Sequence, residues 1–163
     1  MRKRNILITV AAVCILACAL TAILVRAHRF EDMSKYTYDN RKAALKSAMT
    51  TDAKGTGIAI SSFTKDNTTY YLASYPNNNC VIAVTEKYDK YKGERISPFY
   101  RSKDTSVTRY TVKDKTAGIT LHVIYGRSQN DRPVTIGSSP AKLYDDGTFG
   151  YIGEKDLDVY EDD

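Results

Sequence analysis

The sequence predicts an α+β fold: a single N-terminal transmembrane helix, then one helix and a mostly antiparallel meander sheet. Three observations predict it. Ile6 to Val25 is a run without a charge, residues 38–49 carry helically spaced apolar side chains, and short β-rich runs separated by turn residues follow Lys54-Gly55.

The apolar run is 20 residues long and is broken only by Thr9, Cys14, Cys18 and Thr21. At about 1.5 Å per residue such a helix covers roughly 30 Å, one bilayer crossing. A cleaved signal peptide has a shorter apolar region ending at small residues. Ala17-Cys18-Ala19 offers such an end, but Leu20 to Val25 continue apolar beyond it, which favours an uncleaved anchor. Arg2, Lys3 and Arg4 precede the run, whereas Arg26 and Arg29 are followed by Glu31 and Asp32. That bias places the amino terminus in the cytoplasm and the remainder outside, in a single-pass protein of the cell membrane. Ala11, Cys14, Cys18 and Ala22 form one stripe of small residues, the pattern that lets membrane helices approach closely, and it points to a homodimer through the anchor.

The organisation expected is a cytoplasmic tail (1–5), a transmembrane anchor (6–25) with the lipid bilayer as its partner, a juxtamembrane stalk (26–37), an external α+β domain (38–153) and an acidic tail (154–163). In the domain a helix runs from Tyr38 to Met49, with Asp39 near its start and Ala43, Ala44, Leu45, Ala48 and Met49 clustered along it. Strands are expected over 57–63, 68–75, 80–86, 107–112, 118–125, 133–137, 141–144 and 148–152. The clearest is Gly118 to Tyr125, where Ile119, Leu121, Val123 and Tyr125 alternate with Thr120, His122 and Ile124. Asp146-Gly147 is a two-residue hairpin signal. A span, a helix and a curled sheet in that order resemble small envelope accessory proteins with a cystatin-like or similar roll; the resemblance is architectural and implies no activity.

Charge excludes the nucleic-acid class that a net +5 first suggests. Five basic and no acidic residues lie in the first 29 positions, so the rest of the chain carries 24 − 5 = 19 basic against 19 acidic residues. The body is neutral overall but split, with 17 basic and 11 acidic residues over 30–132 and 2 against 8 over 133–163.

Catalytic options are few. His122 is the only histidine and Cys80 the only cysteine after residue 29, so no intradomain disulfide forms and no zinc site of three His or Cys ligands can be assembled. Neither a nucleophile elbow nor a phosphate-binding glycine loop is present. No cofactor and no metal are expected. The one catalytic reading left is a thiol enzyme or hydrolase using Cys80 activated by His122; a surface-held inhibitor or immunity protein is a further alternative.

The favoured reading is a membrane-anchored, non-enzymatic binding or accessory module of the cell envelope, its external sheet recognising a protein or an anionic envelope polymer. The candidate surface is the stretch from Lys87 to Lys103, where Lys87, Tyr88, Lys90, Tyr91, Lys92, Arg95, Tyr100 and Arg101 interleave cations with aromatic rings. The acidic tail is expected to neutralise that stretch in cis.

Overall fold

The computed structural model describes residues 2–51, 56–101, 107–129 and 132–161, with the side chains of 2–12, 28, 30 and 31 left out. Two compact units result, residues 1–37 and 38–163.

The first unit is one helix, α1 (Arg2–Met33), of 32 residues. It corrects the expected anchor. Among the described residues no helix is long and apolar enough to cross a membrane. The helix instead continues through Arg26, Arg29 and Asp32 to Met33, so most of the expected stalk is helical. In the small-residue stripe Cys14 and Cys18 are exposed free thiols and Ala22 is exposed, while the side chain of Ala11 lies outside the described residues. With no span among the described residues, this stripe carries no argument for a membrane dimer.

The second unit opens with α2 (Arg41–Thr50). Asn40, rather than Asp39, caps it: in extended conformation its Oδ1 accepts the Ala43 N–H at 2.8 Å. Among the described residues eleven strands follow, in three sheets instead of one curled meander. The first sheet contains β1 (Ile58–Lys65), β2 (Thr68–Ser74), β3 (Asn78–Lys87) and β4 (Lys90–Arg95) in that order, with β5 (Tyr100–Arg101) pairing the start of β3. The second is β10-β7-β6, formed by β6 (Thr108–Asp114), β7 (Ile119–Arg127) and β10 (Thr148–Gly153). The third is small: β8 (Val134–Ile136) lies between β9 (Ser139–Pro140) and β11 (Val159–Glu161). Among the described residues all strand pairings are antiparallel, as the turn-rich connectors predict. The expected strand at 141–144 is absent. There the chain turns back at once, Tyr144 N–H donating to Thr148 C=O at 2.9 Å and Gly147 N–H to Tyr144 C=O at 2.7 Å.

Strand alternation explains the layering. On β3, Val81 and Ala83 join Tyr70 and Leu72 of β2 against Leu121 and Val123 of the second sheet. Cys80, Ile82 and Val84 point the other way, onto Ala44, Ala48 and Met49 of α2. The second sheet is itself covered on its far side, where Ile124 and Phe149 meet Val134 and Ile136. The order is therefore helix, sheet, sheet, small sheet.

Two glycines set the spacing between layers. A Cβ on Gly93 of β4 would lie 2.3 Å from the Ala44 carbonyl oxygen, so α2 backbone rests directly on the strand. A Cβ on Gly150 of β10 would lie 2.7 Å from both Ile60 and Leu72. Gly93→Ala should therefore destabilise the domain by about 2–3 kcal/mol, since the obstacle is backbone that cannot step aside. Gly118→Ala, in open space at φ +64°, should lose only about 1 kcal/mol through its left-handed backbone. Urea unfolding of the two variants measures the contrast, and equal losses would refute the close approach.

Candidate functional site

Residues 87–95 of the candidate surface form a hairpin. β3 and β4 pair from Ile82↔Arg95 to Lys87↔Lys90, leaving Tyr88 and Asp89 as a two-residue turn. Both have left-handed backbones, φ 54° and 57°, as this turn demands, although neither is glycine or asparagine. Lys87 Nζ stands 5.2 Å from the Tyr88 ring centroid.

The charges of the stretch are engaged locally. Lys90 pairs with Asp39, whose carboxyl the Lys90 hydrogen bond and charge hold below its ordinary range. Lys92 pairs with Glu94. Arg41 of α2 lies 3.7 Å from Glu86 and 6.0 Å from the Tyr91 ring. A hydrogen bond to Glu86 raises the Tyr91 phenol. Arg95 lies 4.3 Å from the Phe99 ring centroid, and Phe99 meets Tyr75 edge-on at 5.5 Å. On β5, Tyr100 stacks on Tyr110 at 3.8 Å while Arg101 is exposed. Lys103 lies outside the described residues.

The acidic tail does not supply these partners. Glu154 pairs with Lys65, Asp156 faces His122 Nδ1 at 3.8 Å, and Asp158 lies 3.8 Å from Arg109. Val159–Glu161 form β11, so the segment is folded onto β8; Asp162 and Asp163 lie outside the described residues. The partners Arg41, Glu86 and Glu94 were not singled out by the sequence, and Asp39 was read only as a helix start. The i,i+2 spacing of Lys92 and Glu94, which puts both on one face of a strand, was the available signal.

β4 is an edge strand, and its outer edge is closed at one point. Tyr38 N–H donates to Tyr91 C=O at 3.2 Å and Tyr91 N–H to Tyr38 C=O at 2.9 Å, an isolated bridge. Beyond it, a cleft of about 280 Å³ is lined by Ala48, Thr51, Gly93, Glu94 and Arg95.

Cys80 and His122 are not brought together. Cys80 is fully buried on the α2 face of the first sheet. His122 is on β7 between Leu121 and Val123, which face the first sheet, so its ring points away from that core. Burial pushes the Cys80 thiol up to about 11 against the opposing influence of Arg95 and a hydrogen bond with Tyr75. Thiolate chemistry at neutral pH is unsupported by that environment. Among the described residues no three His, Cys, Asp or Glu side chains converge on a point where a metal ion would sit. Searches against protein-family models, curated proteins and solved structures find no match to this chain.

A raised Cys80 value has a signed consequence. The unfolded thiol ionises near 9 and the folded one near 11, so its contribution to stability is complete below about pH 9 and is lost as pH rises through 11. Tyr75, pushed by burial up to about 12, adds a loss in the same direction above pH 10. Urea midpoints should hold constant from pH 7 to 8.5 and fall between 9 and 11, by up to about 3 kcal/mol from Cys80. Cys80→Ala should flatten the early part of that fall. An unchanged profile in the variant would refute the assignment.

Proposed function

We propose that the chain is a non-enzymatic binding module that recognises a protein partner through the β3–β4 hairpin, with Tyr88 at its tip. The carrying observation is the turn. A left-handed backbone costs about 1–2 kcal/mol for a residue with a side chain, and Asn-Gly would remove most of that cost. The sequence instead keeps Tyr88, 39% exposed, and Asp89. Strain held at an exposed aromatic tip supports a recognition role. A protein partner is favoured over an anionic polymer because Lys90, Lys92 and Arg41 already face Asp39, Glu94 and Glu86.

The location proposed is a membrane surface of the cell envelope. Val13, Ile15, Leu16, Leu20, Ile23, Leu24 and Val25 are each 53–70% exposed on α1, and an apolar surface of that extent calls for cover. Lipid contact without a crossing would provide it. The full chain should float with phosphatidylglycerol-containing vesicles, and Leu16→Asp with Leu20→Asp should leave it in the pellet or soluble fraction; flotation of the double variant would overturn the assignment.

For the hairpin, Tyr88→Asn with Asp89→Gly should raise stability by about 1 kcal/mol while abolishing partner capture. A photo-crosslinking residue at position 88 of the full chain should give defined protein adducts in the native cell, and one at the exposed Thr120 should not. Equal adducts at both positions, or a hairpin variant that binds as before, would remove this reading.

A further inference from the structure

We propose that residues 154–161 form a strap latched by charge, which opens as a unit while the rest of the domain stays folded. The strap leaves β10 after Gly153 and crosses the face of the second sheet that carries His122 and Ile124 before it reaches β8. Three strands hold it on the way. Glu154 pairs with Lys65 of β1, Asp156 faces His122 of β7 at 3.8 Å, and Asp158 lies 3.8 Å from Arg109 of β6. The acids recur at i, i+2, the spacing that turns them to one side of an extended chain.

Packing retains the strap only weakly. No residue from 154 to 161 is buried; Leu157 and Val159 are half-buried against the cluster of Ile124, Val134, Ile136 and Phe149, and Tyr160 is exposed. Segments with few buried apolar side chains open at free energies well below that of the whole domain. Exposed ion pairs are individually weak and are screened by salt, so a strap that depends on them is sensitive to its ionic surroundings.

Two bonds show which amides the strap guards. Gly137 N–H donates to Asp158 C=O at 2.7 Å, so Gly137 and, two residues back, Thr135 turn toward β11. Val134 turns the other way and accepts the Ala141 N–H at 2.7 Å, as Ile136 turns to Ser139. Pro140, opposite Thr135, has no N–H to give. Opening therefore bares the Thr135 and Gly137 amides, leaves Ile136 bonded to β9, and releases Lys65 and Arg109 together with one edge of β8. Ionic strength sets how often that edge is available.

Hydrogen exchange of the isotope-labelled full chain at neutral pH reads the opening. Thr135 and Gly137 should lose protection together, at least about a hundredfold below Val123 and Ile124 of the central strand β7, which report global unfolding. Ile136 should stay better protected than either. Raising sodium chloride from about 20 mM to about 500 mM shortens the screening length from about 20 Å to about 4 Å, and should lower protection at Thr135 and Gly137 severalfold relative to Val123. Glu154→Gln and Lys65→Gln should each lower it about two- to fivefold, and the double variant no further than either alone, the mark of a single pair. Asp158→Asn should act like Glu154→Gln. Equal protection at Ile136, Thr135 and Gly137 would mean that the whole small sheet opens, and protection of Thr135 and Gly137 equal to that of Val123 would mean that only global unfolding exposes them. Either result overturns the strap. Protection indifferent to salt and to both Glu154→Gln and Asp158→Asn overturns the latch.

Discussion

The structure depends on one strand being buried on both faces. From Asn79 to Val84 every side chain of β3 is at most 2% exposed. Such a strand requires a neighbour along each edge, because its N–H and C=O groups have no water to turn to, and an apolar layer over each face. β2 and β4 provide the edges, α2 and the second sheet the layers. Each large apolar side chain so buried contributes about 1.5–3 kcal/mol. The small residues at the contacts, Ala73, Ala83, Ala44, Ala48 and Gly93, let the layers close to that degree.

Several polar groups carried into this interior are matched individually, whereas the buried Thr148 Oγ1 has no hydrogen-bond partner. Asn79 accepts the Tyr110 hydroxyl at 2.5 Å, and Val81 N–H, beyond the end of β4, donates to Ser97 Oγ at 2.8 Å. Tyr75 donates to the Met49 carbonyl at 2.9 Å, and Tyr70 to Asp114 at 2.9 Å. Tyr144 donates to the Ile60 carbonyl at 3.2 Å, where β1 has its register shift. These tyrosines bury the ring and settle the hydroxyl, which is why a chain without tryptophan needs so many of them.

Strands with period-two patterning were legible in the sequence. Gly118 to Tyr125 appears as β7 and Thr148 to Ile152 as β10, and the apolar run at Cys80 to Val84 reads as a strand because both its faces are covered. β4 was not legible: Lys-Tyr-Lys-Gly-Glu-Arg has the charge of a solvated loop, and Tyr88-Asp89 lacks the glycine or asparagine that announces a hairpin. Both features belong to an edge strand, where charge discourages uncontrolled pairing. β11 was hidden in the same way among the acids of 154–163. The candidate site was thus visible as composition, whereas its geometry depended on tertiary pairings, Lys90 to Asp39 and Tyr38 to Tyr91, that join residues about 50 positions apart. For α1 the length of the apolar run pointed to a crossing that the described helix does not support.

Position of the site follows from the core. Burying β3 completely pushes β4 to the rim, so β4 must protect its own outer edge. Charges do part of this and Tyr38 does part. Neither reaches Gly93, and no larger residue can stand there, because α2 needs the space over it to lie close on Ile82 and Val84. The residue that allows the helix to close on the sheet is therefore the one that leaves backbone and volume available beside it. Fold and site cannot be separated by mutating Gly93 itself, since any side chain there disturbs both. Thr51 borders the cleft at the exposed end of α2 without entering the core, so a substitution there separates the cleft from the packing.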